Sequence, residues 1–433
     1  MKRRILQWLG QLALRALRTL DYYFTGSVSG IPQEEALKDP YRVYASYREH
    51  GRVIRTLANR GWMVLGFEEV QALFRDPRIS SDLRKNRFLT RMMRLAADGR
   101  ELPFLDNPTM LNLDPPDHTR LRKLASQGFL HKFILSLEPR IEAIVDDCLD
   151  DYDESTGQFD IVGQLAQPLP AIVIAELMGL PDGDLPRFRK LSDDLLNLTL
   201  IGDDDAMEKG AQANRELTAY FREVIAKKHE HPGQDLITRL IEAEEEGDRL
   251  TAEETLSTCV ILLVAGHETT TRLIGNGMHL LLNHTDQLKL LQEDRSLMEN
   301  AIEEMLRYEP PVQLMPRFAL EDMEFYGRQF KKNQLIGAMI ASANRDPLAN
   351  RDPDVFDITR QEIRHVSFGH GIHLCLGMTL ARLEARVAIN RLLDRFPDMQ
   401  LADQQISWVP STLVRGMEQL LIDVDEDNAR RAA

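Results

Sequence analysis

Cysteine is scarce in this 433-residue chain, with Cys148, Cys259 and Cys375 as its only thiols. Three scattered cysteines make neither a disulfide framework nor a four-ligand zinc site, so a reducing compartment is the simplest setting. Basic charge is in deficit as well. Lys+Arg 53 against Asp+Glu 68 leaves a net charge of -15, a field that repels nucleic acid and favours solubility. Long apolar runs are missing near the N-terminus, where the uncharged stretch Ile5 to Leu14 is about half of the roughly 20 residues a spanning helix needs. No small-residue cleavage site follows it, which argues against a signal peptide and leaves a transit peptide open. Beyond residue 30 there is no Ser/Gly linker, repeat or low-complexity tract, so one domain over 31–433 is expected where length alone suggests roughly three.

Residues 1–30 stand apart from the rest. Lys2, Arg3, Arg4, Arg15 and Arg18 face a single acid, Asp21, while Leu6, Leu9, Ala13, Ala16, Leu17, Leu20 and Phe24 recur at helical spacing. A peripheral helix on an anionic membrane surface and a helix packed on its own domain or on a neighbouring subunit are both compatible with this pattern. Helical periodicity also marks Leu137 to Tyr152, Ala171 to Met178 and Ala213 to Lys228. Short strands are expected at Arg52 to Leu57, Trp62 to Leu65 and Met323 to Phe330. The acidic runs Asp203 to Asp205 and Glu242 to Asp248 read as solvated loops or helix faces.

The clearest helix begins at the capping box Thr251-Ala-Glu-Glu254 and runs to about His284. Leu262, Ala265, Gly266 and Thr269 share one narrow face, and Gly266 costs about 1 kcal/mol relative to alanine, so close approach of another group is expected there. Packing against another helix is the plainer alternative. His267-Glu268 lacks the second histidine of the zinc protease pattern, since position 271 is Thr271, so His267 reads as a helix-surface residue or a partner for an acid.

Phe368-Gly-His-Gly-Ile-His-Leu-Cys-Leu-Gly377 is the richest segment, followed by a helical pattern from Met378 to Phe396 with Arg382, Glu384 and Arg386 expected outward. Glycines Gly369, Gly371 and Gly377 deliver Cys375 to a helix start, where backbone N–H groups would lower a thiol's pKa and keep it available to a metal.

Here the chain resembles the cytochrome P450 family. The segment from Phe368 to Gly377 matches its heme-binding loop, with Phe368, Gly369, His373, Cys375 and Gly377 at the family positions. Ala265-Gly266-His267-Glu268-Thr269 matches its oxygen-binding helix, and Glu304-Met-Leu-Arg307 with Arg360 matches its structural triad. His118 and Arg122 in Asp114-Pro-Pro-Asp-His-Thr-Arg-Leu-Arg122, together with Arg317 and His373, look like the propionate ligands of its bacterial, soluble branch. The resemblance implies a mainly α fold with small β-sheets (α+β), and heme b (iron protoporphyrin IX) between the long helix and the cysteine loop. It implies Cys375 as metal ligand, cofactor contacts at Ala265 and Gly266, and Thr269 with Glu268 as the catalytic proton relay, the acid reaching water. The implied reaction is insertion of one atom of O2 into a small hydrophobic substrate. About 56 residues follow Gly377, too few for a reductase domain. NAD(P)H would therefore act indirectly, through a separate ferredoxin or flavodoxin and its reductase, in a cytoplasmic protein whose residues 1–30 leave peripheral membrane association open.

A basic cluster of Arg120, Arg122, Lys123, His131 and Lys132 would by analogy face that partner. The substrate pocket would draw on Ser80 to Met110, Leu180 to Tyr220, Leu262 to Thr269, Val312 to Leu314 and Thr412 to Val414, with Leu195, Leu196, Leu198, Leu200 and Ile201 as an apolar stripe. A peroxide-using heme-thiolate peroxygenase is the first alternative, and Glu268 with Thr269 argue against it. A noncatalytic heme-binding protein is the second, and it would need no proton relay.

Overall fold

A computed structural model describes residues 37–424 except 57–60, 98–101, 107–108, 197–203, 246–247 and 412. The N-terminal segment 1–30 therefore lies outside the described residues, as do Leu198, Leu200, Ile201 and Thr412. The expected long helix spans Ala252–Asn283, its first turn closed by the Thr251 and Glu254 capping box. At about 1.5 Å per residue such a helix crosses a whole domain. Around it pack Pro168–Leu177, Leu185–Leu196, Asp204–Glu230, Met298–Tyr308 and Met378–Arg395. One large apolar core joins these helices, from Ile141 and Val145 through Leu263 and Ile274 to Ala388 and Leu392.

The strand expectations hold in part. Val53–Arg55, Trp62–Val64, Leu335–Ala338, Met315–Ala319 and Ile79–Ser80 lie in that order across a five-stranded sheet, in which the Trp62 and Leu335 strands alone run parallel. Met323–Phe325 and Arg328–Phe330 form a hairpin. Its turn places Tyr326 and Gly327 at φ 48 and 72, the positive φ values that a tight two-residue turn requires. The acidic runs are not simply loops. The helix Asp204–Glu230 begins within the first, ahead of the expected Ala213, because acidic side chains suit a helix N-terminus. In the second, Glu244–Glu245 pairs with Asp248–Arg249 as a short hairpin.

Among the described residues no helix is long and apolar enough to cross a membrane. The sheet carries a second core, in which Val64, Val70, Phe330 and Ile336 seat the helix Phe67–Arg75. That helix is the floor on which the cysteine loop rests.

Candidate active site

The cysteine loop is folded by its own backbone. The Cys375 N–H donates to the Phe368 carbonyl at 2.8 Å and the Leu374 N–H to that of Gly371 at 3.1 Å. Gly369 and Gly371 adopt φ 74 and 71, conformations that L side chains seldom take. A Cβ at Gly371 would also lie 2.5 Å from the Phe74 carbonyl oxygen, so the loop is pressed against the helix Phe67–Arg75. Gly377 differs, since a Cβ there would meet nothing within 4 Å. Cys375 retains some open surface although the chain closes around it. Burial raises its thiol pKa, against a Gly377 N–H hydrogen bond and the charges of Arg122 and Arg382. The lowered pKa expected from the helix start is therefore not found in the protein alone, because desolvation outweighs the N–H contact.

Beside the cysteine lies a group of nitrogen donors with few protein acceptors. His118 is buried, and neither its Nδ1 nor its Nε2 has a hydrogen-bond partner. Its ring centroid is 4.1 Å from that of His373. Arg317 is buried under the Phe74 ring, and its Nη1 donates to the neighbouring Pro316 carbonyl at 2.9 Å. Arg122 Nη2 donates to the Leu374 carbonyl, tying the helix Asp117–Ser126 to the cysteine loop. Burial lowers the pKa of His118, brings Arg317 down to about 10 and pushes His373 down to about 3. His118, Arg317 and Arg122 depress His373 further. A protonated His118 is thus disfavoured until a negative group arrives. Buried donors of this kind call for an anionic guest.

In the middle of the long helix Ala265 is exposed although its neighbours Val264 and His267 are buried. Thr269 Oγ1 donates to the Ala265 carbonyl at 2.8 Å, placing the hydroxyl at this opening. Gly266 instead faces the helix Pro168–Leu177, where a Cβ would stand 3.6 Å from Ile174 Cδ1. That is ordinary contact, so the close approach expected at Gly266 is helix packing.

Three other expectations need correction. His267 is no surface residue but buried, its Nε2 3.2 Å from the Gln167 carbonyl and its Nδ1 3.4 Å from Ser192 Oγ. Glu268 does not reach water freely. Its Oε1 accepts from Arg272 Nε at 2.7 Å, both side chains are buried, and Arg272 Nη1 is fixed to the Met417 carbonyl at 2.7 Å. Glu384 does not point outward either; it is 2% exposed, and burial raises its carboxyl pKa well above the ordinary range, which favours the protonated form.

The Glu304 and Arg307 pair is no surface pair. Both side chains are 0% exposed, joined at 2.7 Å, with Arg360 Nε 3.3 Å from Glu304 Oε2. The neighbouring Glu303, which the sequence reading missed, accepts from Arg382 at 2.6 Å and contacts His365 at 2.9 Å. Burial alone would raise its carboxyl, yet Arg382 and His365 bring Glu303 down to about 2. Arg382 also covers the Phe368 ring at 4.5 Å, so the Glu303 helix, the cysteine helix and the loop are bound together. No local spacing signals this contact, whereas Glu268 and Arg272 stand at i, i+4 and were open to recognition.

The sequence pattern of the family described as Cytochrome P450 matches residues 62–411. This chain belongs to the cytochrome P450 family. Cytochrome P450 107B1 of Saccharopolyspora erythraea is 43% identical over 390 residues, covering 88% of this chain and 94% of that protein. The cytochrome P450 monooxygenase PikC of Streptomyces venezuelae is 40% identical over 392 residues, covering 89% and 91%. Among solved structures, P450BioI in complex with hexadec-9Z-enoic acid ligated acyl carrier protein aligns with TM-score 0.83 at 36% identity, covering 91% of this P450 and 100% of that chain. The P450 is an oxidoreductase of the monooxygenase class with the mainly α fold of its family, and the family implies heme. A thiol, an open helix face, a His118 ring without partners and cationic neighbours with few acceptors suit a flat, metal-bearing dianion.

Proposed function

We propose that this P450 inserts one oxygen atom from O2 into a hydrophobic organic substrate, as one catalytic domain over 31–433 supplied with electrons from NAD(P)H by a separate ferredoxin or flavodoxin and its reductase. The observation that carries the reading is buried His118, whose two ring nitrogens have no hydrogen-bond partner, set 4.1 Å from the ring of His373 beside a cysteine loop that Arg122 ties to the same helix. Heme b, when bound, supplies redox-active iron for the activation of O2. Cys375 would ligate that iron, with Phe368, Gly369 and Gly377 shaping the loop around it. His118, Arg122, Arg317 and His373 would hold the propionates by charge-assisted hydrogen bonds. Ala265 and Gly266 lie on the helix facing the other side. Thr269 would keep a proton at Oγ1 where oxygen is reduced, and Glu268 can join only by leaving Arg272, so the hydroxyl carries the assignment.

Lys123, His131 and Lys132 are exposed beside Arg122, while Arg120 is engaged by Glu254. This supports docking of an acidic redox partner on the cysteine side. Turnover with NADPH, a ferredoxin and its reductase tests the whole reading. Wild type is expected to form product under these conditions, and Thr269→Ala to retain heme while diverting most reducing equivalents to hydrogen peroxide. Product from peroxide alone would favour the peroxygenase alternative, and unchanged coupling in Thr269→Ala would place the relay elsewhere.

Peripheral membrane contact through residues 1–30 has support of the same kind on a described element. On the helix Arg87–Ala97, Phe88, Met92 and Leu95 fall at i, i+4 and i+7 and are 77%, 47% and 61% exposed, beside Arg84, Arg87 and Arg91. Each basic residue near an anionic surface contributes on the order of 1 kcal/mol. The full chain is expected to float with anionic liposomes at low salt and to be released at high salt, more so than a chain starting at Ile31. Equal flotation of the two, or none of either, would reject the role of residues 1–30.

A further inference from the structure

A narrow cavity, open to solvent, runs along the long helix from exposed Glu253 to buried Val264, the residue before Ala265. Its helix wall is mainly apolar, formed by Leu256, Val260, Ile261 and Val264. The facing wall, from the helix Asp204–Glu230, is polar: Asn214, Thr218 and Arg222, four residues apart, stand one above another on a single face. Arg222 closes the outer end by an ion pair with Glu253 at 3.2 Å.

Asn214 is 5% exposed, and among the described residues its side chain makes no hydrogen bond. Asn214 lines the cavity. Thr218 likewise has no hydrogen bond from its hydroxyl. A buried amide left without a partner is costly, and cavities that take purely apolar guests have no use for one.

We propose that the guest of this cavity is amphipathic: an elongated, mainly apolar molecule whose hydroxyl or carbonyl oxygen is bound by Asn214 and Thr218 while its body lies against Val260, Ile261 and Val264. This rests on the cleft being the oxidation site. Asn214 then acts as a specificity residue, holding the polar end so that the apolar end extends toward Ala265 and Thr269. The apolar lining thus carries, on one wall, a line of hydrogen-bonding groups.

The test uses full-length, heme-loaded protein and matched compound pairs in which only one member carries an oxygen, among them 1-dodecanol with dodecane and 5α-androstan-17β-ol with 5α-androstane. Binding is read from the substrate-induced shift of the heme absorption band. Wild type is expected to bind the oxygenated members about tenfold more tightly, the scale of one retained hydrogen bond. Asn214→Leu is expected to remove that preference and leave the deoxy members unchanged, and the partly exposed Thr218→Val to reduce it without disturbing the fold. Equal binding of both members by wild type, an equal loss of both in the variants, or no shift with any pair would overturn the proposal. The ferrous carbon monoxide spectrum of the same samples separates the two readings, since a wild type without thiolate character fails the heme assignment instead.

Discussion

Cys375→Ala is expected to lose the thiolate signature of the ferrous carbon monoxide complex completely, and NADPH-driven product formation is expected to fall to background. No other sulfur can replace it. Cys259 is fully buried on the long helix and Cys148 is buried in the helical core, both enclosed by aliphatic side chains. Two imidazoles stand by the loop instead, His373 two positions earlier and His118 with its ring centroid 4.1 Å from that of His373. Any heme that remains is therefore expected to show the spectrum of nitrogen or water ligation. A thiolate spectrum that survives in Cys375→Ala, or a histidine-type band in freshly prepared wild type, would remove Cys375 as the metal ligand.

Glu304→Ala and Arg307→Ala are expected to be the most destabilising substitutions among the ion pairs. Arg307 donates through Nε and Nη2 to the two Glu304 oxygens at 2.7 Å, and further to the Pro353 carbonyl at 2.7 Å and the Val355 carbonyl at 3.0 Å. Glu304 Oε1 also accepts from the Asp357 N–H at 3.0 Å. Removal of either partner strands a charge with no access to water, at a cost of about 3–5 kcal/mol. That is a large share of the roughly 5–15 kcal/mol that holds a typical domain together. Arg386→Ala, which breaks a half-exposed pair with Glu138, provides the contrast, with a loss of about 1 kcal/mol or less. Thermal unfolding and heme content decide between them. If Glu304→Ala unfolds at the wild-type temperature and keeps its heme, the clamp is not structural.

What could be read from the sequence was what local rules determine. The capping box at Thr251 located the long helix to within a residue, and the glycine pattern around Cys375 announced the loop. Pairing across the chain left no such trace. Trp62 stands beside Ile336 in the sheet, and the strand Leu335–Ala338 has too little alternation to be recognised alone. Burial of polar residues was equally hidden. Glu384 and His267 lie on helical patterns whose inward face is set by neighbours from distant segments, and Glu304 with Arg307 has the spacing of an exposed pair. Asn214 could not be told from any surface amide until Val260 and Ile261 were seen across the cavity from it.

The contact of Gly371 with the Phe74 carbonyl has a consequence for how this enzyme can diverge. Every residue shares that carbonyl, so the seat of the cysteine loop is independent of which side chains the helix Phe67–Arg75 carries. Drift in that helix can change composition freely wherever its own core permits. A gain or loss of a single residue within it would rotate a different backbone group under the loop. The cysteine loop is thus tolerant of substitution beneath it and intolerant of insertion and deletion in that helix, which confines variation in length to other parts of the chain.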